Sequence, residues 1–453
     1  MAYLNGTSFA LTGDHLIDSL TMGYRWNLDQ TRTIHWSLSD GWVDEYFNSR
    51  TGAYEVFNQV MQNIGKFINV TFEYAGYYSS PGQAANAGSD INLTWDWYNY
   101  NNQFSSNNVF AVGYYPVSGG TNRGDVYFNG LSGMNALPSW DAGSKAFFVA
   151  LHEVGHALGL KHPFEAVNGR PTFQGLGWGD LDVDLFTVMS YTDDDFNNTV
   201  YDPETPMILD VLALQYLYGA SKTENAGNTT WSFVRNDLYN TCYDAGGTDT
   251  IDQSDASEGW YIVLPNLKLT DLVNTRVGLA ISQADNALDV PTDLSWLAGN
   301  FENVIGSAYA DNIYGNRYQN VLRGGNGNDI LKGGGNKDTL NGDNGRDKLY
   351  GGADDDVLRG GNRRDVLDGG NGEDRFVFAT GWDVDRIKDF DAIGSVHDVL
   401  DLRGLRSVSG WNDLRNNHMS RDGADVVIDG RNGDKIILED VTLSSLDKGD
   451  FLF

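Results

Sequence analysis

The chain has 453 residues, which is several times the length of a common domain, so two or three compact units are expected rather than one small fold. Its 41% apolar content holds no run of the roughly 18 residues that cross a bilayer, which excludes a helical membrane anchor. Against 31 Lys and Arg stand 62 Asp and Glu, a net charge of -31 that repels phosphate backbones and anionic lipid, so nucleic acid and membrane surfaces are excluded as partners. An acidic chain with 54 glycines is suited instead to wrapping hard cations with carboxylates and turn carbonyls, which points to Ca2+.

One cysteine, Cys242, allows no internal disulfide and reads as a small buried side chain. The opening MAYLNGTSFALTGDHLIDSL has neither the basic segment nor the apolar core of a secretory signal peptide, so export is expected to use another address.

To about Gly219 the sequence mixes strands and helices. Alternation in Thr33 to Ser39 (TIHWSLS), and similar patterns at Val70 to Tyr74, Asp90 to Trp95 and Val109 to Tyr115, predict strands of a half-buried sheet. Apolar residues three and four apart predict helices over Trp42 to Asn63 and Lys145 to Leu160. A third helix, Leu209 to Tyr218, is expected to stop at Gly219.

Beyond that point helical periodicity fades, and from Gly306 to Val377 a nine-residue period repeats eight times. The sixth position carries Asp311, Asn320, Asp329, Asp338, Asp347, Asp356, Asp365 and Asp374, and the eighth carries Ile313, Leu322, Leu331, Leu340, Leu349, Leu358, Leu367 and Phe376. A Gly-rich turn followed by a short strand that points one apolar side chain inward makes a parallel β-solenoid whose stacked units share a core. Two units form one coil, which pairs Asp329 with Asp347 and Asp338 with Asp356 across successive turns, where carboxylates and carbonyls can ligate Ca2+. The first two units lack several glycines (Ser307, Tyr309, Asn316, Tyr318) and Asn320 replaces an Asp, so weak or absent binding is expected there.

Inside the Lys145 to Leu160 segment lies HEVGHALGLKH. Residues four apart on a helix share a face, so His152 and His156 can chelate one ion. Gly159 can turn the chain and return His162 as a third nitrogen ligand, and Pro163 keeps the helix from resuming. Three imidazoles and an open position describe a catalytic Zn2+ site, with Glu153 placed as a general base toward water. The remaining histidines, His15, His35, His397 and His418, are scattered and receive no role.

HExxHxxGxxH followed by Val188, Met189, Ser190 and Tyr191 resembles the metzincin signature with its Met-turn. The form HEVGHALGLKHP with TVMSY, joined to nonapeptides, resembles the serralysin family of secreted bacterial zinc endopeptidases, and IDSLTMGYRW, MILDVLALQYLYG and YDAGGTDTID extend the resemblance along the chain. It implies an α+β metzincin-like catalytic domain over residues 1–219 and an all-β parallel β-roll domain over 220–453, with RTX nonapeptides at 306–377 and a tail at 378–453 that bears the secretion signal. It further implies zinc on His152, His156 and His162, Glu153 as base, Met189 as an apolar floor, and Tyr191 as a displaceable zinc ligand that stabilises the tetrahedral intermediate. Calcium would be bound by Asp329, Asp338, Asp347, Asp356, Asp365 and Asp374, and near the domain junction by Asp244, Asp249 and Glu302 with the carbonyls of Gly246 and Gly247. Expected partners are protein and peptide substrates, a proteinaceous inhibitor, and an ABC-type (type I) secretion channel reading the terminal Asp450, Phe451, Leu452 and Phe453; the mature protein is expected to be an extracellular monomer. Lys161 departs from the family pattern by adding a charge beside His162. The rival reading is a calcium-binding surface or adhesion protein with a vestigial metal site; such a site has no reason to keep Glu153, three ligands, Gly159, Met189 and Tyr191 together.

Overall fold

A computed structural model of the chain describes residues 6–8, 10–11, 14–39, 50–96, 109–117, 122–130, 139–192, 202–234, 239–266, 278–286, 294–392 and 397–453. The chain packs as two units. The first comprises Met1–Glu224, Asn236–Ala245 and Thr292–Trp296, and the second comprises Asn225–Arg235, Gly246–Pro291 and Leu297–Phe453. Sequence placed a single boundary after Gly219, whereas the chain leaves the first unit after Glu224 and returns to it twice. Tertiary hydrogen bonds account for the returns: the Tyr243 hydroxyl donates to Ser221 O, and the Trp296 indole donates to Leu185 O.

In the first unit, strands β1 (Gly6–Ser8) and β2 (Tyr24–Trp26) pair with each other around helix α1 (His15–Leu20). A five-stranded sheet is built from β3 (Thr33–Ser39), β4 (Thr71–Tyr78), β5 (Ile91–Asp96), β6 (Ala111–Gly113) and β7 (Asp125–Asn129) in the order β4-β3-β5-β7-β6. The first four in that order are parallel, and β6 runs antiparallel to β7 at the edge, with Ala111 opposite Phe128 and Gly113 opposite Val126. Strand β3 is buried on both faces, which explains why its alternation is imperfect. Helix α2 (Arg50–Gly65) buries Ala53, Phe57, Val60, Met61 and Ile64, the stripe its spacing predicts; residues 42–49 of the expected helix lie outside the described residues. Helix α3 (Pro81–Ala87) precedes β5. The Lys145 to Leu160 helix is shorter than expected: α4 spans Lys145–Ala157, capped at its start by the Ser144 hydroxyl. Every residue from Ala146 to Ala157 is buried, so α4 is a central helix and not an amphipathic surface one. Helices α5 (Phe173–Leu176) and α6 (Ile208–Tyr218) follow, and α6 ends at Gly219 as expected.

The second unit is a parallel β-roll. One ladder runs through the strands 303–305, 321–326, 339–344, 357–359, 375–379 and 399–404, and the other through 312–314, 330–335, 348–353, 366–371 and 384–387. Within the nonapeptides the register advances by two units, so that Leu331 faces Leu349, and Leu349 faces Leu367. Ile313, Leu322, Leu331, Leu340, Leu349, Leu358, Leu367 and Phe376 are all wholly buried between the two sheets. The roll also outruns the repeats. Upstream, Thr250–Asp252 and Trp260–Val263 pair in parallel with the first coil; downstream, Val384–Ile387 and Val399–Gly404 continue it. At the C-terminus Phe451 pairs with Leu400 and is buried, while Leu452 and Phe453 are partly exposed. No helix among the described residues is long and apolar enough to cross a membrane.

Candidate metal centre

His152 and His156 lie one helical turn apart on α4, and the chain then reverses at Gly159. Gly159 has a φ of 101°, and a Cβ there would fall 2.2 Å from Tyr24 O, so both backbone conformation and close approach require glycine. The reversal is pinned to the N-terminal segment by Met22 N–H donating to Gly159 O and Lys161 N–H donating to Leu20 O. It brings His162 Nε2 to 3.1 Å from both His152 Nε2 and His156 Nε2.

The opposite ring nitrogens of the two helical histidines are committed. His152 Nδ1 lies 2.6 Å from Val188 O and His156 Nδ1 lies 2.9 Å from Leu160 O. A carbonyl only accepts, so both Nδ1 atoms carry the proton and both Nε2 atoms present lone pairs. His162 Nδ1 is 3.0 Å from Glu165 Oε1, the arrangement that orients a metal-ligating imidazole. Three lone pairs converging at this distance repel one another and suit a shared cation, and burial holds all three rings neutral by pushing their pKa values down. A nitrogen-only set of three fits Zn2+ and leaves a coordination position for substrate or water.

Glu153 is buried beside the histidines, and its carboxylate takes a hydrogen bond from the Gly113 N–H of edge strand β6; burial pushes its carboxyl up to about 8. A Cβ at Gly113 would sit 2.3 Å from Glu153 O, so the edge strand lies directly on the helix. A cleft of about 350 Å3 opens here, lined by His152, Glu153 and Tyr191 and walled by Val109, Phe110, Phe148 and Val149. Tyr191 is 70% exposed; its ring stacks on His152 at 5.4 Å and lies tilted by 57° against His162 at 4.5 Å, and partial desolvation together with the nearby Glu153 and Glu165 pushes its hydroxyl pKa up to about 12. Met189 is wholly buried, with its sulfur 2.8 Å from where a Cβ on Gly155 would stand, which places it against α4 between the two helical histidines.

Several neighbours are not evident from spacing. Glu165 contacts His162, and Phe164 stacks on the same ring at 4.8 Å with 6° between planes. Lys161, read as an extra charge, is buried, and its ammonium donates to the carbonyls of His162, Glu165 and Pro171, bracing the loop that follows the third histidine. Burial lowers its pKa to about 8.

In the second unit Asp329, Asp338, Asp347, Asp356, Asp365 and Asp374 are buried in two ladders. In each, the Oδ1 accepts the N–H of the residue one coil earlier: Asp311 to Asp329, Asn320 to Asp338, Asp329 to Asp347, Asp338 to Asp356, Asp347 to Asp365 and Asp356 to Asp374. Each Oδ2 is buried with no hydrogen-bond partner. The earliest rungs are closed differently. Asp311 Oδ2 accepts the Ser307 N–H and hydroxyl, and Asn320 is bonded through Asn316 and Glu302. Asn336, Asp354 and Arg363 adopt the left-handed turn conformation although none is glycine. Of the residues expected near the junction, Asp249 accepts the Thr229 N–H and donates its own to Glu302, within the unit that also holds Gly246 and Gly247; Asp244 belongs to the first unit.

Comparison with known proteins agrees with this arrangement. Residues 26–167 match the matrixin family, and residues 305–340, 314–349, 332–362 and 350–384 match four copies of the RTX calcium-binding nonapeptide repeat. The chain is 30% identical over 193 residues to Serralysin C of Dickeya chrysanthemi, covering 38% of this chain and 39% of that protein. It is 28% identical over 320 residues to the Metalloprotease AprA of Pseudomonas entomophila, covering 63% of this chain and 61% of that protein. Serralysin B of Dickeya chrysanthemi is 31% identical over 247 residues, covering 49% and 47%. The matches thus span between 39% and 61% of the length of these relatives. A matrixin domain carrying a three-histidine centre and followed by RTX repeats defines the class of protein. Within that class the chain is similar to the serralysins and the AprA metalloproteases.

Proposed function

We propose that the chain is a secreted, zinc-dependent endopeptidase that hydrolyses peptide bonds in proteins, with a calcium-bound β-roll. The observation that carries the reading is the convergence of three Nε2 atoms, the Nδ1 protons of His152 and His156 being committed to carbonyls, beside a buried carboxylate at the head of a cleft.

His152, His156 and His162 would hold Zn2+, which supplies Lewis acidity toward the scissile carbonyl and toward water. Glu153 accepts the proton of the attacking water on its carboxylate and delivers it to the departing amide nitrogen. Burial raises the carboxylate's affinity for a proton, which is what a proton acceptor needs, and the Gly113 N–H fixes the carboxylate's direction. Strand β6 is the last strand of its sheet among the described residues and lies along the cleft, so an extended substrate can pair with its free edge. The contact of the Tyr191 ring with His152 and His162 supports a role for its hydroxyl toward the developing oxyanion.

Casein digestion with and without a zinc chelator tests the reading. Glu153→Gln is expected to lower kcat by roughly 10²- to 10⁴-fold with zinc content unchanged. Full activity in that variant, or in chelator, removes the assignment. Tyr191→Phe is expected to lower kcat while leaving KM near its original value, and unchanged turnover would remove the role of the hydroxyl.

Export in an unfolded form fits the stacked carboxylates of the repeats, which repel one another at low calcium and are neutralised where calcium is abundant. We assign the residues Asp450 to Phe453 to recognition by an ABC-type secretion channel, and Asp329, Asp338, Asp347, Asp356, Asp365 and Asp374 to calcium.

A further inference from the structure

The nonapeptide period ends at Val377, yet the roll does not. After Ala379 the sequence TGWDVDRIK, Thr380 to Lys388, folds as one further unit displaced by two residues. Its eighth residue, Ile387, pairs with Leu367 and is wholly buried, taking the core position of the repeats. Its sixth residue is Asp385. The Asp365 N–H donates to Asp385 Oδ1 at 2.9 Å, the same bond that joins Asp347 to Asp365 at 2.9 Å and Asp329 to Asp347 at 2.8 Å.

Asp385 is 0% exposed, and its Oδ2 has no hydrogen-bond partner. The Oδ2 of Asp365 is likewise buried and unpartnered, and it lies against bare glycine: a Cβ on Gly360 would meet it at 2.4 Å, as one on Gly342 would meet Asp347 Oδ2 at 2.5 Å. Nor does the surrounding protein neutralise the pair. The charges that act most on Asp385 are those of Asp365, Asp383 and Asp434, all negative, and with burial they push its carboxyl up to about 9. Asp434 has both oxygens engaged, by the N–H groups of Gly381 and Asp383, which fixes the turn that presents Asp385.

The corresponding rung of the other ladder ends differently. Asp398 accepts the Asp374 N–H on Oδ1 and the Asp391 N–H on Oδ2, so both of its oxygens are satisfied by protein. The ladder through Asp365 ends on a free buried oxygen.

We infer that Asp365 and Asp385 hold a further divalent cation of the calcium type between the turn 360–365 and the turn 380–385, beyond the nonapeptides. This rests on the reading of the repeats as calcium sites and adds a ligand that their period does not contain.

Equilibrium dialysis of the full chain against calcium tests it, using Asp385→Asn and Asp398→Asn. The wild-type chain is expected to bind several ions, Asp385→Asn one fewer, and Asp398→Asn the same number as wild type. An unaltered count in Asp385→Asn overturns the site while the repeat sites stand. No calcium on the wild-type chain overturns the reading of the repeats and this site together. Should Asp385→Asn fail to fold, terbium on the wild-type chain gives a second measurement. Trp382 is three residues from Asp385, so the chain keeps their backbones within roughly 10 Å and the indole can sensitise terbium there. Trp382→Phe is then expected to lower tryptophan-excited terbium emission, and emission equal to wild type overturns the proposal.

Discussion

Asp210 shows how a residue remote from the ligands in sequence governs one of them. Its carboxylate is wholly buried on α6 and accepts the Thr187 hydroxyl at 2.5 Å, the Val188 N–H at 2.7 Å and the Met207 N–H at 3.0 Å; the desolvation pushes its carboxyl up to about 7. The carbonyl of the same Val188 holds His152 Nδ1, so the carboxylate steers a ligand through the backbone of one residue. Asp210→Ala leaves three donors facing a hole. It is expected to destabilise the first unit by about 1–3 kcal/mol for each donor left unpaired and to weaken zinc retention by about 10- to 100-fold, read by thermal melting and by competition with a chelator. Zinc affinity equal to wild type would reduce Asp210 to a packing role. The ligands themselves were legible in the sequence because their geometry is local: one helical turn separates His152 from His156, and one glycine turn returns His162. Asp210, Glu165 and the true partners of Lys161 were not, because which carbonyl or N–H each meets is decided by packing between segments that share no periodicity. Lys161 illustrates the gap: spacing shows a charge, whereas the fold shows a buried ammonium capping three carbonyls.

Among the elements, a strong period in the sequence marks the element, while packing sets where it ends. Strand β3 has the predicted limits, but α4 stops at Ala157, three residues short of its apolar pattern, because Gly159 takes the left-handed conformation, φ 101°, that ends a helix. The β-roll continues past the last nonapeptide, its period masked there by the insertion that sets Asp385 20 residues from Asp365 where earlier rungs stand 18 apart. Degeneracy of the first repeats, by contrast, has a clear structural counterpart. At Asp311 the Trp260 N–H occupies Oδ1 and Ser307 occupies Oδ2, so protein donors stand where later rungs have an unpartnered oxygen. The two kinds of rung are therefore expected to separate on mutation. Asp347→Asn should lose at least one bound calcium per chain and raise the calcium concentration needed for folding, while Asp311→Asn should bind as many ions as the wild type. Equal losses in the two variants, measured by calcium titration of the full chain, would mean that the hydrogen-bonded and unpartnered rungs are equivalent and would remove the distinction.

At the scale of the whole molecule, the net charge of -31 becomes a statement about conditions. Without a cation, burial raises the carboxyls of Asp329 and Asp338 to about 8, those of Asp347, Asp356 and Asp365 to about 7, and that of Asp374 to about 6. In the unfolded chain the same groups titrate near 3.9. Between those limits the folded roll binds more protons than the unfolded chain, so in calcium-free buffer its stability is greatest below about pH 4 as far as these groups are concerned and falls as pH rises through 6 to 8. Protons and calcium thus answer the same need, which is to neutralise oxygens that no protein donor reaches. Calcium competes with protons for those oxygens, so the stabilisation it brings should grow with pH. The expected result is that, in excess EGTA, the melting temperature of the roll drops as pH goes from 5.5 to 8 and its β circular dichroism is lost at the upper end, while millimolar calcium removes most of that dependence. Mild acid would then rescue a calcium-free roll that is unfolded at pH 8. A calcium-free roll that melts at one temperature across this range would show that the carboxylates are satisfied by some other means, and the coupling between cation binding and folding would have to be abandoned.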